Sequence, residues 1–266
     1  EQKLAHKNIR LIYSGILGIP WEKLGNIDVL FHQGAIADTT IRDREEMLRA
    51  NVETSKKLFE YAAENGARTI VYASSTAVYG DLPAPYKEDG PVKPLNEYAE
   101  SKALLDEFAR SFSTSHPDMR IVGLRYSNVY GPRENHKGKM ASMVYQLAEQ
   151  MKTGNPRIFK DGEQRREFLY IDDAVRANML AMDAKENCIV NCAPGKARSF
   201  NELIAILNGT LKLDRATEYV ENPYAAVYQS YIECDVALAK EKLGFTAGIS
   251  LEEGVKRYAA SGFLAA

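Results

Sequence analysis

The chain has 266 residues, 45% hydrophobic and 26% charged, with a formal net charge of -2. That is enough chain to bury a sizeable core, and the charge balance carries no footprint of nucleic acid or of an anionic membrane surface. Three cysteines exclude a disulfide framework, four scattered histidines offer no zinc spacing, and no apolar run approaches the ~18–20 residues of a membrane span. The polar start, Glu1-Gln2-Lys3, is no secretory leader, so the cytoplasm is the expected compartment.

Residues 9–13 read as a short strand. Residues 27–32 read as a buried strand ending at Gln33-Gly34-Ala35, where small residues would let another molecule reach the backbone. Over residues 43–65, Met47, Leu48, Val52, Leu58, Phe59 and Ala62 recur at three- and four-residue steps, which predicts a helix with Gly66 near its end. A strand over residues 69–73 runs into Ser74-Ser75. The Pro-rich residues 81–96 read as a loop, residues 98–112 as a helix and residues 119–126 as a strand.

This alternation argues an α/β fold, a doubly wound parallel sheet with helices on both faces. Ligands of such sheets bind beyond the carboxyl ends of the strands. Gln33-Gly34-Ala35, Ser74-Ser75 and Tyr126-Ser127-Asn128 all fall at such ends.

Residues 128–139 form a polar loop, followed by a helix over about 140–152. Residues 162–173 lead into a helix through Met182, with Asp172 or Asp173 as its N-cap. Cys188–Cys192 reads as another sheet strand whose two cysteines share one face, as core residues do. Residues 199–266 read as a smaller α/β lobe. The expected division is 1–127 plus 168–198 for one domain and 128–167 plus 199–266 for the other.

Tyr98 and Lys102 are four residues apart and share one helix face. An ammonium beside a phenol favours phenolate and lowers the phenol pKa toward working pH. Tyr98 is thereby a candidate general acid/base, with a serine hydroxyl from the preceding strand end to hold the reacting oxygen. In a chain with 15 Tyr the spacing alone arises by chance about once. Its place after a strand and a serine pair is what distinguishes this instance.

Four segments together resemble the extended short-chain dehydrogenase/reductase superfamily, the NAD(P)-dependent epimerases and dehydratases of nucleotide sugars. They are Ser74-Ser75 with Tyr79-Gly80, Tyr98 with Lys102, residues 125–132 (RYSNVYGP) and residues 166–173 (REFLYIDD). The resemblance implies a Rossmann-type sheet with a smaller substrate domain, NAD or NADP as cofactor, no metal, and a homo-oligomer. In that family pattern a strand, a glycine-rich loop and a helix precede the point where this chain begins.

Phe31-His32-Gln33-Gly34-Ala35 with Asp38-Thr39-Thr40, and residues 132–142 (PRENHKGKMAS), are similar to the branch that inverts C6 of ADP-glycero-manno-heptose, a lipopolysaccharide core precursor. That resemblance implies Tyr98 and Lys137 as paired acid/bases on opposite faces of the sugar. Ser75 would bind the reacting region, and Lys102 would hold the nicotinamide ribose and tune Tyr98. Gln33, Gly34, Ala35, Ile36, Ala37, Asn51 and Val129, with Tyr98, Lys102 and Lys137, would line the dinucleotide. Asn128, Phe159, Arg166 and Tyr228 would contact the nucleotide-sugar. Lys139 and Gln146 stand at two further substrate positions, where the family usually has a small polar residue and His.

The chemistry is consistent with this. A carbinol C–H is not acidic, but oxidation to a ketone makes the centre planar and hydride return to the other face inverts it. Arg166 is a natural bidentate partner for a diphosphate. Each residue also has a plainer role: Lys137 as a solvated lysine, Arg166 paired with Glu163 or Glu167, Tyr228 as packing, Asn51 bonding a neighbouring loop. Competing functions are another nucleotide-sugar epimerase such as a UDP-hexose 4-epimerase, a dehydratase, or a non-catalytic nucleotide-binding homologue. A dehydratase of this group carries an Asp-Glu pair after the catalytic Ser/Thr, where this chain has Ala77-Val78.

Overall fold

A computed structural model describes residues 8–21, 24–223 and 228–264. Its centre is a parallel sheet of β1 (Val29–His32), β2 (Thr69–Ser75), β3 (Arg120–Tyr126) and, as numbered in chain order below, β8 (Cys188–Cys192), hydrogen-bonded in that order. The register brings Ser75 level with Tyr126 and Tyr126 level with Cys192. The carboxyl ends of three strands therefore form one edge.

Between β1 and β2 lie α1 (Arg44–Leu48), one wider π-type turn (Arg49–Glu53) and α2 (Thr54–Glu64). The expected single helix over 43–65 is thus interrupted, and the wide turn buries Asn51 and Val52. Asp43 starts α1 by accepting the Glu46 amide. The next helix, α3 (Glu97–Ser115), starts where the Asn96 side chain accepts the Ala99 amide at 2.9 Å.

Helices α2 and α3 cover one sheet face, packing Phe59, Leu105 and Phe112 on Ile70, Tyr72 and Ile121. A Cβ at Gly123 would collide with the Tyr72 ring, so glycine lets that ring lie flat on β3. The other face carries Val71, Val122, Leu124 and Val190 under α5 (Ile171–Met182) and α7 (Ala237–Leu243). Residues one apart on β2 and β3 face opposite layers, as pleating requires. Helices on both faces make the sheet doubly wound.

A buried network fixes α3 on this sheet. Arg125, 1% exposed, donates from Nε to Asp106 at 2.9 Å and from Nη1 to the Tyr79 hydroxyl at 2.8 Å. Tyr72 donates to Asp106, and Tyr79 donates to Asn191 on β8. Every charge and hydroxyl in the chain of contacts has a partner, which rigidifies such a network.

A second core holds Tyr130, Phe168 and Tyr170 against α4 (Met143–Thr153), α6 (Phe200–Leu211) and α8 (Leu251–Ala260). Short strands border it: β4 (Asn128–Tyr130) with β7 (Phe168–Tyr170), β5 (Arg157–Phe159) with β10 (Glu218–Val220), and β6 (Arg165–Arg166) with β9 (Arg198–Ser199).

Four expectations need correction. Residues 9–13 form no strand. Tyr170, with no side-chain bond, caps α5, while Asp172 and Asp173 lie in its first turn. Asp173 instead accepts the Gly248 and Ile249 amides, tying α5 to the chain after α7. The helix after the polar loop begins at Met143, because residues 135–140 form a 3-10 turn and Ser142 is the cap. The lobe beginning at 199 is also not separate throughout. Ala239, Leu243 and Phe245 pack on the parallel sheet, since α7 offers it a small apolar face, while Phe168 and Tyr170 join the second core.

No helix among the described residues is long and apolar enough to cross a membrane.

Candidate active site

A cleft of about 600 Å³ opens between the carboxyl edge of the sheet and the second core. That is within the size range of small-molecule sites. Ser75, Tyr98, Asn128, Val129, Lys137, Lys139, Gln146, Phe159, Arg166 and Tyr228 all line it. Ten residues singled out from the sequence therefore share one cavity.

Ser75 ends β2. Its hydroxyl accepts the Ala77 amide, which opens a 3-10 turn (Thr76–Tyr79), and it is also hydrogen-bonded to the Tyr98 phenol. Tyr98 sits in the first turn of α3, whose placement the Asp106–Arg125 pair secures. Burial pushes the phenol pKa above its usual value, and the Ser75 hydrogen bond partly opposes this. The expected lowering by Lys102 is therefore overturned: desolvation dominates, and the phenol is the protonated, acid form.

Lys102 is 2% exposed and stands behind the cavity wall, not on it. Its ammonium donates to the Ala73 carbonyl at 2.7 Å and lies 5.9 Å from the Tyr98 ring centroid. Burial brings its pKa down to about 8, and nearby Asp106 holds it up against a further fall. On its other side, buried His32 contacts the Ser55 hydroxyl at 2.7 Å. Ser55 gives its proton to the Asn51 carbonyl, so His32 must donate from Nε2. Burial first, then the Lys102 charge, lowers the His32 pKa to about 4.

Lys137 sits on the 3-10 turn Asn135–Met140, and its ammonium makes no ion pair among the described residues. The loop that carries it is stapled at both ends by one buried carboxylate. Glu134 accepts the Gly131 amide, the Ser142 amide at 2.6 Å and the Ser142 hydroxyl at 2.8 Å. Gln146 braces the same loop, donating to the carbonyls of Lys139 and Ala141. The Lys139 ammonium is 3.0 Å from Asp38. These two side chains, expected as substrate contacts, line the cleft and also hold the loop and its mouth.

Arg166 is 7% exposed, yet no carboxylate pairs with it among the described residues. It donates to the Arg165 carbonyl and lies 4.7 Å from the Tyr228 ring centroid. Glu163 pairs with Arg165 instead. Glu167 projects the other way, accepting the Cys234 amide, and burial pushes its pKa up to about 7. The alternative of Arg166 as a salt-bridge residue is excluded. A buried guanidinium cannot lose its proton, so an anion from outside is its natural complement. Phe159 closes on Tyr228 edge to face at 5.4 Å. Asn128 donates to the Glu167 carbonyl and holds the floor to β7.

The dinucleotide residues are more dispersed. Gln33, Gly34, Ala35, Ile36 and Ala37 follow β1 outside the cleft lining, joined to it where Tyr126 donates to Gln33 at 3.1 Å. A Cβ at Gly34 would meet nothing within 4 Å, so this backbone is open to approach. Asn51, expected to line the dinucleotide, accepts from the Ile36 amide and donates to the Ile36 carbonyl and the Ser101 hydroxyl, so it braces the loop. The hydroxyls of Ser74 and Ser127 are buried at this sheet edge with no partner among the described residues. Orphaned hydroxyls, an open glycine backbone and a lysine beside Tyr98 fit the nicotinamide-ribose end of a dinucleotide.

Residues 21–193 match the NAD dependent epimerase/dehydratase family. The chain belongs to that family: it is a nucleotide-sugar epimerase, an isomerase working with a nicotinamide dinucleotide. It is 36% identical over 250 residues, 89% of its length and 76% of the relative's, to an ADP-L-glycero-D-manno-heptose-6-epimerase of Alkalilimnicola ehrlichii. The crystal structure of the Helicobacter pylori ADP-L-glycero-D-manno-heptose-6-epimerase is similar at 37% identity and a TM-score of 0.81, over 89% of this chain and 73% of that one. A UDP-N-acetylglucosamine 4-epimerase of Methanobrevibacter ruminantium is similar at 29% identity and a TM-score of 0.87, over 96% and 84%.

Sequence reading missed Glu134, Asp38 and Gln229, whose amide donates to the Gly80 carbonyl at 2.8 Å. Their partners lie 8, 101 and 149 residues away. Only Glu134 has a local signal, as the one acid in a loop closed by a Ser cap.

Proposed function

We propose that this chain inverts C6 of an ADP-glycero-manno-heptose, with Tyr98 and Lys137 exchanging the alcohol proton from opposite sides of the sugar tail. The supporting observation is one cleft lined by both groups and by a buried arginine that has no protein counter-ion among the described residues. Arg166 and Tyr228 would hold the diphosphate, and Phe159 the nucleotide beyond it. Lys102 and the loop from Gln33 to Ala37 would hold the nicotinamide end of the dinucleotide, with Val129 beneath. When bound, the nicotinamide supplies a reversible hydride acceptor.

Within the chain's own chemistry, Tyr98 shares a hydrogen bond with Ser75, which positions the reacting alcohol. One acid/base accepts the alcohol proton as the carbon becomes planar. The tail then turns, and the other group protonates the oxygen after the opposite face is reduced. Two separated proton carriers suit a rotating exocyclic carbon better than a ring carbon. A ring-carbon 4-epimerase of UDP-sugars is the second reading, favoured by the 0.87 TM-score to such an enzyme.

The test is stereochemical. Each C6 epimer of the ADP-heptose, and a panel of UDP-hexoses, is incubated with the protein and the products resolved by NMR. Interconversion of the heptoses, lost on Lys137→Met with KM little changed, is the expected result. Inversion of UDP-hexoses alone, or full turnover by Lys137→Met, overturns it.

A further inference from the structure

We propose that residues 38–44 are a positioning strap that couples the Tyr98 helix to the Lys137 loop, with Asp38 and Lys139 as its far fastening. The proposal rests on the reading of Tyr98 and Lys137 as a pair. Two proton carriers that serve one sugar must keep a set separation, because near-attack geometry tolerates little displacement. This segment bonds to both the Tyr98 helix and the Lys137 loop.

Its own ties to α3 are two, and a third hold flanks it. Just upstream, Asn51 grips the Ile36 amide and carbonyl and donates to Ser101, one turn from Tyr98. Arg42 pairs with Glu97 at 2.8 Å. Arg44 makes a fork with Glu100, Nε to Oε2 at 2.9 Å and Nη2 to Oε1 at 2.6 Å. Glu97 and Glu100 bracket Tyr98 in sequence, so two arginines of one short segment clasp the turn that presents the phenol.

Its tie to the Lys137 loop is Asp38. One carboxylate oxygen is held by the Thr40 amide and hydroxyl, which fixes the orientation of the group. The other reaches the Lys139 ammonium at 3.0 Å. The Asp38 side chain is 13% exposed and that of Lys139 is 75% exposed, so a carboxylate already fixed by Thr40 captures a reaching cation. Lys139 is two residues from Lys137 on the same turn, across Gly138 at φ 54, and its carbonyl is anchored by Gln146. Each exposed pair alone contributes little to stability. Together they set the distance between two elements that carry the chemistry.

The test uses the full chain with Asp38→Asn, Lys139→Gln, the double variant and the charge-reversed pair Asp38→Lys with Lys139→Asp. Two readouts are taken: steady-state inversion of the nucleotide-sugar, and amide hydrogen exchange of residues 135–141 without substrate. Either single variant is expected to lower kcat about tenfold, with KM within about twofold, and to speed exchange of the loop. The double variant should be no worse than a single one, and the reversed pair should recover most of the rate. A rise in KM with kcat unchanged would make Lys139 a substrate contact and overturn the strap, as would unchanged loop exchange. Because exchange needs no substrate, a protein inert toward every nucleotide-sugar but showing the exchange effect overturns the functional reading and leaves the coupling standing.

Discussion

The Arg166 guanidinium lies 4.7 Å from the centre of the Tyr228 ring, with no acidic partner among the described residues. The arrangement presents a planar double donor, backed by an aromatic face, to the cleft. One Nη1 donor is spent on the Arg165 carbonyl, and the remaining N–H groups of a guanidinium fork suit the oxygens of a phosphate or carboxylate.

This predicts opposite effects on binding and stability. Arg166→Met should raise KM for the nucleotide-sugar about 10- to 100-fold, the loss of a charge-assisted hydrogen bond of roughly 1.5–3 kcal/mol. It should at the same time hold or raise the melting temperature, because it removes a buried, uncompensated charge. A lowered melting temperature with unchanged KM would show instead that Arg166 is structural.

Glu134→Ala removes the staple that closes the Lys137 loop. Buried amides of Gly131 and Ser142 lose their acceptor, which costs about 1–3 kcal/mol of stability. Turnover should fall more than substrate affinity, since the loop that loosens carries Lys137 and not the diphosphate site. Denaturant unfolding and a kcat and KM comparison check this. A rise in KM alone would contradict it.

Lys102 titrates at about 8, so its ammonium is lost as pH rises through that value. The kcat/KM profile should therefore carry an alkaline limb near pH 8. Asp106 favours the charged form, so Asp106→Asn should move the limb to lower pH, while Lys102→Arg should abolish it. Asp106→Asn also strands buried Arg125, with an expected loss of about 3–5 kcal/mol. Profiles are best measured at low temperature on folded protein.

His32 should make stability fall in acid. Its folded pKa, about 4, lies below the ordinary 6.5. The unfolded chain therefore takes up the proton first as pH drops. The stability is fully present above about 6.5 and is lost as pH falls toward 4, on the order of 3 kcal/mol in all. Glu167 acts in the opposite sense, its pKa raised to about 7, so its contribution is lost as pH rises from 4.5 to 7. Comparing the native chain with His32→Asn cancels Glu167 and isolates the His32 slope. Parallel curves for the two proteins between pH 4 and 6.5 would refute it.

Much of the fold was legible from local patterns. Apolar runs such as residues 69–73 and the three- and four-residue steps of residues 98–112 arise from pleat and helix periods, which a linear reading detects. Boundaries were less legible where a cap or turn intervened, as at Met143 behind Ser142. The domain division failed at α7 because its few apolar residues suit either core. Of the site, Ser75, Tyr98, Lys137 and Arg166 were legible by residue type and motif.

By itself the sequence determined the parallel sheet and the candidate residues that its carboxyl edge brings together, because strand alternation and helical spacing are properties of neighbours along the chain. Only the tertiary structure decided what each group faces. It gave Asn51 to Ile36 and Lys139 to Asp38, put Lys102 behind the wall, raised the Tyr98 pKa through burial and left Arg166 without a carboxylate. Those outcomes depend on distance and desolvation between residues far apart in sequence, where Coulomb and hydrogen-bond energies are set by position in space rather than by order in the chain.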